Sequence, residues 1–298
     1  MRKLLPIIVL CLLSSSCGIV RVKSSEAYLP GPAIRADYTP QGIVEEHLHP
    51  CSVKGPSRRR LIAYLPADYY EGSQRYPVLY LLHGARGYET TWIRKGQVYQ
   101  TCDSLWREGK AVPCIVIMPN VNSYNDDYDY DGGRFKDAFE SIFEVNGIVE
   151  SAFMKDVVQF VDSLYRTVPD AAHRAVAGLS IGGYQSILFA ANYPQEFGYV
   201  GAMSPYTWAL GHPSATRHKF YGGLESKMKK QFETAPPKVF YLYAGKWDMM
   251  RPATLKLHHR MSLNGYPHGY ARYPGSHNWE PGWTDELKDF MQRIFKEN

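Results

Sequence analysis

The stretch His173-Arg-Ala-Val-Ala-Gly-Leu-Ser-Ile-Gly-Gly183 constrains this chain most. Its apolar run, Ala175 to Ala177, reads as a buried strand. The next residues, Tyr184-Gln-Ser-Ile-Leu-Phe-Ala-Ala-Asn192, read as a helix. Between them Gly178-Leu-Ser180-Ile-Gly182 matches G-x-S-x-G in a strand–turn–helix setting. That setting separates a nucleophile elbow from an incidental serine in a glycine-rich turn. Side chains flanking so tight a turn would collide with neighbouring strands or the helix, hence glycines. The serine hydroxyl is pushed out above the sheet edge, and the helix N-terminus turns free N–H groups toward any developing anion.

The rest of the chain supplies a sheet for that elbow. Ile43-Val-Glu-Glu-His-Leu48 and Arg60-Leu-Ile-Ala-Tyr-Leu65 read as paired edge strands. Pro77 to Leu82 and Cys114 to Met118 are continuous apolar runs, the pattern of strands covered on both faces. Tyr199–Met203, Val239–Ala244 and Tyr270–Tyr273 complete the strands. Helices are expected over Gln97–Glu108, Ile148–Tyr165, Leu255–Leu263 and Leu287–Phe295. Alternating strands and helices predict an α/β fold with a mostly parallel sheet and helices on both faces. Residues 204–236 read as an inserted cap. The long Tyr- and Asp-rich loop from Asn120 to about Val145 is of a length that is usually functional or disordered.

Met1-Arg-Lys3 followed by Leu4–Leu13 has the form of an export leader, too short in its apolar part to span a bilayer permanently. Ser14-Ser-Ser-Cys17 then resembles a bacterial lipobox, with Ser14 where leucine is usual. Lipidation at Cys17 and plain secretion are both open. The organisation expected is a leader over 1–17, a tether with little fixed structure over 18–42, and one catalytic domain over 43–298. Of five cysteines, Cys51, Cys102 and Cys114 lie past the leader, and sequence does not choose a disulfide pair among them. The formal charge of +5, evenly spread, gives no footprint for nucleic acid. Arg58-Arg-Arg60, the one basic cluster, reads as a solvated strand start.

A serine hydroxyl needs a base in hydrogen-bond reach, and the base needs an orienting acid. In parallel sheets such groups lie beyond the carboxyl ends of strands. Asp248 follows the Val239–Ala244 strand by a short turn, whereas Glu225 and Glu233 have no preceding strand and Asp285 comes too late. Among ten histidines, His258 and His259 sit within a helix and His268 opens a strand. His277 lies past the last strand in a loop small enough to reach back. The order Ser180, Asp248, His277 is that of α/β-hydrolases. Each of Asp248 and His277 alone would read as an ordinary turn or loop residue. The two oxyanion donors expected are the backbone N–H groups of Ile181 and, after the Pro77–Leu82 strand, Ala85. Gly84 would provide room.

Tyr80-Leu-Leu-His-Gly84 with Trp92, Ile117-Met-Pro-Asn120, Tyr165-Arg-Thr167, Arg174–Tyr184 and Gly275-Ser-His277-Asn-Trp279 together resemble the esterase D-type branch of the α/β-hydrolases. That branch includes feruloyl and acetylxylan esterases and mycolyltransferase relatives. The resemblance runs from about residue 43 to the end and implies a serine esterase without a cofactor or metal. It places Ser180, Asp248 and His277 at the triad, and Ala85 and Ile181 at the oxyanion. His83, Gly84, Trp92, Tyr206, Trp208 and Trp279 are the residues expected at the substrate. Ala85-Arg-Gly87 departs from the branch's richer glycine pattern, which bears on the entrance. The implied substrate is an acylated oligosaccharide of the plant cell wall. A general exported esterase, an acyltransferase and a non-catalytic carbohydrate-binding lipoprotein on the same fold are the alternatives. Asp127-Tyr-Asp129-Tyr-Asp131-Gly132 copies the start of a calcium loop, but its twelfth position is Ala138 rather than Glu. Tyr124, Tyr128 and Tyr130 have the aromatic faces that suit a sugar or feruloyl ring, or that simply pack on each other.

Overall fold

The computed structural model describes residues 38–52, 58–85, 87–121, 147–207, 220 and 222–296. The strands are β1 (Ile43–Pro50), β2 (Arg58–Leu65), β3 (Val78–Leu82), β4 (Ile115–Pro119), β5 (Arg174–Leu179), β6 (Tyr199–Met203), β7 (Val239–Gly245) and β8 (Gly269–Tyr273). They form one sheet in the order β1-β2-β4-β3-β5-β6-β7-β8. β1, β2 and β4 pair antiparallel, and every pairing from β4 through β3 to β8 is parallel. The six strands β3 to β8 run in one direction, so their carboxyl ends lie at one edge of the sheet.

The apolar runs are continuous because each strand serves two cores. In β3, Val78, Tyr80 and Leu82 face one cluster, and Leu79 and Leu81 the other. The first is closed by α3 (Ile148–Phe153), α4 (Gln159–Leu164), α5 (Ile181–Asn192), α6 (Leu224–Thr234) and α7 (Arg251–Leu263). The second is closed by α1 (Thr91–Arg94), α2 (Val98–Arg107) and α8 (Thr284–Met291). α8 packs against α2, and Leu287, Phe290, Tyr99 and Leu105 all belong to that second cluster. Each fully buried Leu, Phe or Val contributes about 1.5–3 kcal/mol.

Several expected boundaries move. The helix expected over Ile148–Tyr165 is broken by a π-turn, Met154–Val158, between α3 and α4. The turn carries the buried Asp156, whose carboxylate accepts from Ser52 N–H at 2.7 Å. α7 starts at Arg251 rather than Leu255, with proline in its first turn, where the missing N–H removes no helical bond. α8 runs Thr284–Met291 rather than Leu287–Phe295, and Phe295 itself sits at φ 61°. Arg59 corrects the reading of a solvated basic cluster, since it is only 1% exposed. The end of the expected tether is held in place: Tyr38 Oη–H and Gln41 N–H both donate to Asp103 of α2 at 2.9 Å. Cys51 is partly exposed, Cys102 and Cys114 are buried, and all three are free thiols. No helix among the described residues is long and apolar enough to cross a membrane.

Candidate active site

Ser180 follows the last residue of β5 and stands at the N-cap of α5 with φ 53° and ψ −113°, a conformation rare for a residue with a side chain. Its amide donates to Met203 O at 2.8 Å, and its carbonyl accepts from Tyr206 N–H at 2.9 Å. The turn closes this tightly because Gly182 has no side chain. A Cβ there would stand 2.4 Å from the carbonyl oxygen of His83 and 2.8 Å from that of Leu82. The elbow is thus pressed directly onto the end of β3.

Three strand ends converge above it. His277 Nε2 lies 3.0 Å from Ser180 Oγ, and Nδ1 lies 3.0 Å from both carboxylate oxygens of Asp248. Because an ionised carboxylate only accepts, the Nδ1 position carries the imidazole proton, and Nε2 is left to accept from the serine hydroxyl. The Asp248 side chain is 0% exposed. Burial on its own would raise its pKa. Hydrogen bonds from His277 and from Met250 N–H at 2.6 Å outweigh that and hold the carboxyl below the usual Asp range. Asp248 thus presents a fixed negative charge to the imidazole. The His277 loop is short: Asn278 Oδ1 accepts from Ser276 N–H at 3.1 Å, and its Nδ2 donates to Glu280 O at 3.1 Å.

A row of tryptophans backs the imidazole. Trp283 stands edge-on to His277, Trp279 edge-on to Trp283 at 5.2 Å, and Trp92 edge-on to Trp279 at 5.1 Å. Trp92 is 1% exposed and donates its indole N–H to Leu82 O at 2.9 Å. It is a buried strut between β3 and the histidine loop, not a face open to substrate, which corrects its expected place.

His83 is similarly out of reach. It is buried, with Nδ1–H donating to Gly84 O at 2.8 Å and Nε2 accepting from Val121 N–H at 3.1 Å. Burial lowers its pKa to about 4, so the ring stays neutral. Gly87 N–H also donates to Gly84 O, at 3.0 Å, so two donors fix the peptide that precedes Ala85. A Cβ on Gly84 would lie 2.5 Å from Leu179 Cδ1, which accounts for the glycine next to the elbow. Ile181 opens α5, its N–H at the positive end of a twelve-residue helix. Tyr206 and Trp279 remain partly exposed. Trp208, Cys17 and the Tyr124–Asp131 segment lie outside the described residues.

Sequence reading passed over Trp283, whose ring packs on His277, and Glu286, one helical turn further on. Trp283 and Glu286 both fall on the i, i+3, i+4, i+7 stripe that also carries Leu287 and Phe290. An acid inside an apolar stripe was the available signal.

A serine at a strained strand–helix turn, a histidine and an acid from the ends of β5, β8 and β7, and an eight-stranded mostly parallel sheet define the α/β-hydrolase class. The chain belongs to the Esterase family, which it matches over residues 52–294. It is similar to an endo-1,4-beta-xylanase/feruloyl esterase of Xylanibacter ruminicola, 33% identical over 168 residues, or 53% of this chain and 22% of that protein. The chain spans less than half the length of the curated relatives it matches. Among solved structures it resembles a CE1 ferulic acid esterase of Anaeromyces mucronatus (TM-score 0.68, 20% identity, covering 85% of this chain and 91% of that one). It also resembles an S-formylglutathione hydrolase of Staphylococcus aureus (TM-score 0.63, 19% identity, 84% and 98%). Likeness at that level establishes the shared fold.

Proposed function

We propose that this protein is a serine carboxylic-ester hydrolase acting through Ser180, His277 and Asp248. The observation that carries this is the continuous hydrogen-bonded path, 3.0 Å at each step, from a strained serine to a buried carboxylate. Ser180 Oγ attacks the ester carbonyl carbon while its proton passes to His277 Nε2. The carbonyl oxygen becomes an oxyanion, met by the N–H groups of Ile181 and Ala85. Collapse of the tetrahedral intermediate breaks the bond to the alcohol, which leaves with the proton from Nε2. Water, deprotonated by the same nitrogen, then attacks the acyl-serine and releases the acid. Asp248 offsets the imidazolium charge throughout and is not itself protonated. Oxyanion donors of this kind are worth about 3–4 kcal/mol each in the transition state.

The acyl group assigned is feruloyl or acetyl on a plant cell-wall polysaccharide such as xylan. Support comes from the bifunctional xylanase/feruloyl esterase relative and from the fold shared with a ferulic acid esterase. Turnover of feruloylated and acetylated xylo-oligosaccharides, compared with a small aryl ester, tests the assignment. A higher kcat/KM on the oligosaccharides supports it. A preference for the aryl ester makes the protein a general esterase, and product formed on an added alcohol makes it an acyltransferase. The Met1–Leu13 leader and Cys17 support export with a lipid anchor, and plain secretion is the alternative.

A further inference from the structure

We propose that Trp247 is a substrate-specificity residue, an aromatic platform for a pyranose ring on the alcohol side of the scissile ester. The inference rests on the hydrolase reading above and gives its polysaccharide a contact outside the triad. Four large apolar side chains among the described residues stand open to solvent: Leu164, Trp247, Met249 and Leu263. Two of them, Trp247 at 73% and Met249 at 61% exposure, lie on either side of the buried acid Asp248. Trp247 is the one aromatic among the four, and its ring joins neither core. Its backbone is nevertheless fixed. Lys246 N–H donates to Tyr273 O and Trp247 N–H to Gly275 O, each at 2.8 Å. Gly245 lets the two loops meet this closely, since a Cβ there would stand 2.9 Å from Gly275 O and 3.0 Å from Ser276 O. The turn that carries Trp247 is therefore pressed onto the loop that carries His277.

The direction of the reaction brings the alcohol to this side. In the sheet, β3 lies on one side of β5, and β7 and β8 lie on the other. The oxyanion donor at Ala85 follows β3, so the carbonyl oxygen is drawn that way. The alcohol oxygen must come within hydrogen-bond reach of His277 Nε2 to receive its proton. The saccharide beyond that oxygen therefore leaves over the ends of β7 and β8. Gly275, to which Trp247 is bonded, is two residues from His277, at most about 7 Å of extended chain. The first sugar units thus pass within reach of the indole. Lys246 Nζ stands 4.9 Å from the centroid of the ring, on one face. The exposure of the side chain leaves the other face to solvent, where the slightly positive C–H groups of a sugar are attracted to π electrons. A membrane seated on Trp247 would instead cover the mouth that the ring borders and keep the substrate out.

The test uses the full chain with two esters of the same acid, ferulic or acetic: a methyl ester and a xylo-oligosaccharide ester. The acyl group is then common, and only the alcohol differs. In Trp247→Ala the ratio of kcat/KM on the oligosaccharide to kcat/KM on the methyl ester should fall about fivefold, the scale of one aromatic contact. Trp247→Phe should restore most of that ratio, and thermal unfolding checks that both variants are folded. An unchanged ratio in Trp247→Ala overturns the inference. So does a wild type that hydrolyses the methyl ester and not the oligosaccharide. Loss of binding to phosphatidylglycerol vesicles in Trp247→Ala, with the ratio unchanged, overturns it in favour of a membrane contact. If neither ester is turned over, the hydrolase reading fails instead. Retention on immobilised xylan then decides Trp247: weaker retention of Trp247→Ala than of wild type supports the platform, and equal retention overturns it.

Discussion

The ring of Trp283 meets the imidazole of His277 edge-on, with centroids 4.8 Å apart and planes at 87°. The perpendicular indole packs against the base, whose two nitrogens are taken by Asp248 and Ser180. A ring so held keeps its proton-accepting lone pair on the serine through the cycle. Trp283→Ala should lower kcat roughly tenfold, the scale of one aromatic pair, and should also lower thermal stability because a buried ring is removed. Trp283→Phe should recover most of kcat. Equal kcat in Trp283→Ala and wild type would show that the ring does not position the base.

Ser180→Ala and His277→Ala should each reduce turnover by several orders of magnitude, and the double variant little further, because the two act as one unit. Mass spectrometry of wild type mixed briefly with an activated ester should find the acyl group on Ser180. Near-native activity in Ser180→Ala would sink the mechanism.

Gly182→Ala tests the pressed contact between elbow and β3. The added methyl must displace the His83 carbonyl, a backbone group, and the cost should be about 1–3 kcal/mol or more. Chemical unfolding measures it, and an unchanged midpoint would mean that the elbow has room to move.

His83 and His49 make stability depend on pH in a stated direction. Burial lowers each to about 4, against 6.5 for the exposed group. The unfolded chain therefore binds more protons between those values, and stability falls as pH drops from about 6.5 toward 4. A 2.5-unit difference corresponds to about 3 kcal/mol per histidine at most. Thermal midpoints at pH 7 and 5 should separate more in wild type than in His83→Asn. Identical separations would show that His83 is not held neutral.

Intact-mass analysis of the mature N-terminus decides the export proposal. Lipid on Cys17 supports the anchor, where several acyl chains are needed because one binds membranes only weakly. An unlipidated terminus cut elsewhere leaves plain secretion.

The elbow, the acid and the base could be read from the sequence because each follows an apolar run at a strand end, and backbone geometry alone then brings them together. Residues in the second layer were less legible. Trp92 and His83 belong to motifs that border the site, but only the structure reveals that Leu82 O and Val121 N–H turn them inward. Glu286 was hidden for a different reason: the helix was expected to begin only at Leu287, so the acid just before it was not read on the apolar stripe. The π-turn at Met154–Val158 was invisible because its apolar residues keep nearly helical spacing on either side.

Parallel pairing of β7 with β8, with Gly245 opposite Tyr273, works as a ruler for the acid and the base. Asp248 and His277 leave the sheet at the same level, each a few residues past its strand. Sliding β8 by two residues would keep every side chain on its face yet carry the imidazole about 7 Å along the strand, beyond reach of both partners. Lengthening the return from α7 to β8 leaves that ruler untouched, whereas one residue added between Tyr273 and His277 does not. The tolerance of this enzyme to insertion should therefore change abruptly within a few residues of chain.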